Sequence, residues 1–88
     1  MKMQKTVLII EDEKSLRDAL GDILRLRGIA SLAAKNGKEG VAMALAEHPD
    51  CILLDLIMPE MDGAAALDTI RQSAWGAAVP IIILTNLS

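Results

Sequence analysis

Three short apolar runs, at 6–10, 51–56 and 81–85, constrain this chain more than any other feature. Each is solid rather than alternating and rich in Ile and Leu. Such runs suit strands covered on both faces, the habit of parallel sheets. The segments between them have helical period instead. From 14 to 27, Leu16, Ala19, Leu20, Ile23 and Leu24 recur at i, i+3, i+4 and i+7, which predicts a helix packed through that stripe. Gly28 stands where a left-handed cap belongs, and a weaker strand is expected at 29–33. Asn36 is placed to cap a second helix over 37–47, with Val41, Ala44 and Leu45 inward. Pro49 forbids its continuation. A third helix over 63–73 is expected to bury Ala66, Leu67 and Ile70, with Gly63 permitting the turn into it. The order βαβαβαβ implies right-handed crossovers and an α/β fold with a doubly wound parallel sheet.

At 88 residues the chain is one domain over 1–88, and 52% apolar content against 24% charged excludes intrinsic disorder. The net charge is −3, the bases are scattered, and none follows Arg71, which argues against direct nucleic-acid binding. With one Trp and no Phe or Tyr, the core must be aliphatic and base-stacking platforms are absent. No apolar stretch approaches the roughly 20 residues of a membrane-spanning helix. After the first run the chain passes straight into Glu11-Asp12-Glu13, unlike a signal peptide, so a cytoplasmic location without membrane contact is expected. Cys51 is the single cysteine, which agrees with a reducing compartment.

In open parallel sheets ligands bind beyond the carboxyl ends of the strands. Acids collect at that edge: Glu11 and Asp12 follow the first run, Asp55 lies near the end of the second, and Glu60 and Asp62 come just after. Gathered carboxylates repel and raise one another's pKa unless a cation neutralises them. An open set of oxygen ligands suits Mg²⁺. Asp55 stands among Ile52, Leu53, Leu54, Leu56 and Ile57, where an unpaired buried carboxylate is costly. Two readings are open for it. It ends the strand and caps the turn before Pro59, or it is a nucleophile beside a metal that forms an aspartyl phosphate.

Glu11-Asp12-Glu13 after an apolar run, Leu53-Leu54-Asp55-Leu56-Ile57-Met58-Pro59-Glu60-Met61-Asp62-Gly63, and Ile83-Leu84-Thr85 together resemble the receiver domain of two-component response regulators. The middle stretch fits that family's D-L-x-M-P-x-M-D-G pattern without a mismatch. The resemblance implies a flavodoxin-like fold with strand order 2-1-3-4. It implies that Asp55 accepts a phosphoryl group from a sensor histidine kinase or phosphotransfer protein. It further implies that Asp12 binds Mg²⁺ directly, that Glu11 helps through water, and that the backbone carbonyl of Ile57 supplies another ligand. Thr85 would give its hydroxyl, and Asn86 its amide, to the phosphoryl group.

Receivers carry five strands and five helices, so the chain is expected to lack the fourth helix, fifth strand and fifth helix. The family's fifth-strand Lys is expected to be missing with them, and no Lys follows Lys38. The last strand then becomes an apolar edge, and self-association as a homodimer or swapped oligomer is expected. The chain reads as a signalling module rather than a turnover enzyme. One rival is a phosphorylation-incompetent fragment that serves as a self-associating interaction module. Another is a metal-dependent phosphatase, whose family places a second Asp two positions after the nucleophile, where this chain has Ile57.

Overall fold

A computed structural model describes residues 4–58 and 63–84. Their elements run β1 (Thr6–Ile10), α1 (Lys14–Leu26), β2 (Ala30–Ala34), α2 (Gly37–Glu47), β3 (Cys51–Asp55), α3 (Gly63–Gln72) and β4 (Ile81–Leu84). All strand pairs are parallel and the order is β2-β1-β3-β4, as expected from the sequence. The chain moves one way from β1 to β2 and back past β1 to β3. That reversal puts a topological switch point between β1 and β3.

The helix ends follow local chemistry. Asn36 Oδ1 accepts the Glu39 amide at 2.8 Å, capping α2. His48 closes the same helix in the left-handed region at φ 47°, its amide bonded to the Ala44 carbonyl, and Pro49 follows. Gly28, at φ 75°, ends α1 without a Cβ penalty. Several boundaries differ from expectation by one residue. The second strand runs over Ala30–Ala34 rather than 29–33, α1 ends at Leu26 and α3 at Gln72, each one residue early, and β3 closes at Asp55 with Leu56 beyond it.

One face of the sheet carries the core. Leu8, Ile10, Ala34, Ile52 and Leu54 pack there against Ala44 of α2, Ala66 and Ile70 of α3, and Met58 and Val79. Among the described residues the other face carries α1 alone, and no residue of α1 is fully buried. Leu20 and Leu24 are half-buried as anticipated, but Leu16, Ala19 and Ile23 are exposed, Ile23 to 55%. The helix seats instead along Gly21, whose Cα side lies close to Ser31 of β2: a Cβ there would stand 3.4 Å from the Ser31 hydroxyl. Leu45 of α2 is exposed as well, contrary to the predicted inward stripe.

At the amino edge, Arg71 donates to the carbonyls of Gly76 (2.9 Å) and Val79 (2.6 Å), tying down the connection from α3 to β4. Trp75 in that connection stacks on His48, with ring centroids 4.6 Å apart and planes 6° from parallel. β4 lies at the sheet edge with Ile82 and Ile83 exposed. Among the described residues, no helix is long and apolar enough to cross a membrane.

Candidate functional site

Because every strand runs the same way, the carboxyl ends of β1 and β3 share one edge. Ile10 is paired in register with Leu54, so the next residues, Glu11 and Asp55, stand side by side at that edge. The Glu11 amide still donates to the Ala34 carbonyl of β2 at 3.1 Å, which holds this residue to the sheet. One carboxylate oxygen each from Glu11, Asp12 and Asp55 lies within 4.8 Å of the others. Glu11 is 3% exposed and Asp55 is buried, while Asp12 opens to solvent. Together with Glu13, Leu16 and Ile57 they line a cleft of about 450 Å³.

Backbone amides fix two of the three carboxylates. Asp55 Oδ1 accepts from Ile57 at 2.9 Å, and Glu11 Oε2 accepts from Glu13 at 3.1 Å. The first bond is the turn-capping role open to Asp55 from sequence, and it coexists with the approach to Glu11 and Asp12. Burial pushes the Glu11 carboxyl up from 4.5 to about 7. Hydrogen bonds with Asp12 and Asp55 and repulsion from Asp55 add to the rise, against the opposing pull of the Glu13 amide. Neither amide supplies a full positive charge. The donor set of three clustered carboxylate oxygens, one side open to water, therefore fits a small hard divalent cation.

Two supports of this site escape a reading by residue type. Arg17, on α1, donates from Nη1 to the carbonyls of Glu11 (2.8 Å) and Asp12 (3.3 Å). The available signal was a charged residue three and seven positions before the half-buried Leu20 and Leu24, on the sheet side of the helix. Gly63 is the other. Its amide donates to the Leu56 carbonyl at 2.9 Å, and a Cβ there would lie 2.1 Å from the Asp55 carbonyl oxygen. Gly63 is thus required by close approach. It is not required by a left-handed turn, since positive φ among the described residues occurs only at Gly28 and His48.

Of the residues singled out from sequence, Glu11, Asp12 and Asp55 converge and Ile57 lines the same cleft. Thr85, Asn86, Glu60 and Asp62 lie outside the described residues. In register, Leu84 is the β4 partner of Asp55.

Comparison with known proteins gives a consistent result. The family model for the response regulator receiver domain matches residues 7–88. A probable transcriptional regulator, ycf27 of Porphyridium aerugineum, is 39% identical over 98% of this chain, which spans 35% of that relative's length. The chemotaxis protein CheY4 of Vibrio cholerae superposes with a TM-score of 0.92 at 28% identity, over 97% of this chain and 71% of CheY4. The receiver domain of the sensor histidine kinase PA1611 of Pseudomonas aeruginosa PAO1 gives 0.90 at 32% identity, over 93% of this chain and 67% of that one. That structure holds a magnesium ion in its active-site cleft.

Proposed function

The chain belongs to the response regulator receiver domain family, and we propose that it takes a phosphoryl group onto Asp55 with Mg²⁺ held by Glu11, Asp12 and Asp55. The convergence of those three carboxylates, from strands far apart in sequence, carries this reading. The Asp55 oxygen attacks the phosphorus of a phosphohistidine on a sensor kinase or phosphotransfer protein. An O–P bond forms, the N–P bond breaks, and the electron pair stays with the imidazole, which takes a proton from solvent. Mg²⁺, when bound, offsets charge on the phosphoryl oxygens as they pass between the two partners.

The chain's own residues prepare that transfer. Ile57 holds the Asp55 carboxylate in place through its amide, and its backbone carbonyl is assigned to the cation by family likeness. Burial keeps bulk water from Glu11. Its elevated pKa means that cation uptake displaces a proton near neutrality. Thr85 and Asn86, which follow Leu84 in sequence, are assigned the hydroxyl and amide contacts to the phosphoryl group by family likeness. Incubation with acetyl phosphate and Mg²⁺ should yield an acid-labile adduct of one phosphate per chain, and Asp55→Asn should abolish it. Undiminished labelling of D55N would refute the assignment.

The exposed apolar edge of β4 supports a second reading, in which the chain self-associates as a homodimer or swapped oligomer and serves as an interaction module. Retained Mg²⁺ binding with no acid-labile phosphate favours that reading. A monomer by light scattering at micromolar concentration counts against it.

A further inference from the structure

We propose that Arg17 is the positioning residue of the metal-binding loop, holding Glu11 and Asp12 in the orientation that lets them meet Asp55. The inference rests on the cation-site reading above and adds to it a residue that touches no carboxylate of the site. Arg17 Nη1 bridges two consecutive peptide carbonyls, those of Glu11 and Asp12, at 2.8 and 3.3 Å. Fixing two successive carbonyls fixes the peptide planes on both sides of the Asp12 Cα, and with them the direction of the Asp12 side chain; at Glu11 the same constraint is completed by its amide bond to the Ala34 carbonyl. The Arg17 amide meanwhile donates to the Glu13 carbonyl at 2.9 Å, so one residue ties three consecutive carbonyls of the loop to the first turn of α1.

The need for such a tie is visible in the cap of α1. Glu13 occupies the N-cap position but makes no side-chain cap bond, so the loop gains no order from that source. The Arg17 stem is half-buried between α1 and the sheet, beside Ile9, in a groove of about 520 Å³. That burial limits its rotamers, and the planar guanidinium carries Nη1 one bond farther from the backbone than a lysine carries its ammonium. A lysine at 17 would therefore reach the two carbonyls less well and hold them less firmly.

Outer supports of metal ligands typically contribute 10- to 100-fold in affinity. Titration calorimetry of the 88-residue chain with MgCl₂ at pH 8 should therefore show Mg²⁺ affinity reduced roughly 10- to 100-fold in Arg17→Met, with Arg17→Lys between the two. Hydrogen exchange at the Glu13 amide should quicken in R17M without any cation present. Arg71→Met is the control for mere loss of stability, because Arg71 ties two carbonyls at the opposite edge of the sheet. It should lower the urea midpoint and leave Mg²⁺ affinity unchanged. An R17M chain that binds Mg²⁺ within twofold of wild type overturns the proposal, as does an R71M chain that loses as much affinity. If R17M does not fold, a folded R17K with wild-type affinity overturns it equally. A wild-type chain that takes up no Mg²⁺ removes the cation-site reading together with this one, whereas wild-type binding with an unaffected R17M removes this one alone.

Discussion

On the face of the sheet that carries α2 and α3, Leu8, Ile10, Ile52 and Leu54 are fully buried against two helices. On the face that carries α1, the helix lies over β1 and β2 and Ile9 is buried beneath it, but none of the helix's own residues is fully buried and Ile82 of β4 is 54% exposed. The same strands build both faces, so the difference lies in what covers them. Hydrophobic stabilisation scales with area removed from water. It is therefore concentrated on the α2–α3 face, and the carboxyl-edge site sits at the seam, with Asp55 from the well-packed strand β3 and Arg17 from the loosely seated helix.

The sharpest break of this contrast is a cavity on the packed face. Leu54→Ala should cost about 2–5 kcal/mol in urea unfolding followed by circular dichroism, and a loss below about 1 kcal/mol would mean that the face is not close-packed. The seam should respond to pH. In chelator, the folded state holds on Glu11 a proton that the unfolded chain releases between pH 4.5 and about 7. Stability from this group is thus complete below about pH 4.5 and falls by roughly 3 kcal/mol as pH rises through 7. A urea midpoint that climbs between pH 5 and pH 8 would contradict this. Addition of Mg²⁺ at pH 8 should restore the loss. Next in size, Gly63→Ala forces a Cβ against the Asp55 carbonyl and should cost about 1–3 kcal/mol while weakening Mg²⁺ binding in the same calorimetric titration. On the thinly covered face, Ile23→Ala should shift stability by less than about 0.5 kcal/mol, and a core-sized loss there would show that α1 is covered in solution.

The parts legible in the sequence are those that depend on one-dimensional pattern. Solid apolar runs announced β1, β3 and β4, and their parallel direction placed Glu11, Asp12 and Asp55 at one edge before any contact was known. The stripe Leu16, Ala19, Ile23 shows where periodicity stops informing. It reports that α1 has an apolar side, but the partner of that side depends on how far the sheet extends beneath it and on Gly21 letting the helix settle against Ser31. Arg17 was hidden for a related reason, since a charge on a helix ordinarily belongs to its solvated side. At Gly63 the sequence announces a turn into α3, whereas the backbone crowding against Asp55 is a three-dimensional fact with no local signature.

The stacked pair at the amino edge has a spectroscopic consequence. Trp75 is the chain's one aromatic residue of the Trp, Tyr and Phe group, and it lies flat on His48 in the connections that precede β3 and β4. The sole indole fluorophore therefore sits at the pole opposite the acidic cluster. Its emission should track denaturation of the scaffold, and ion uptake or acylphosphate formation at the far pole should leave it dark to the event.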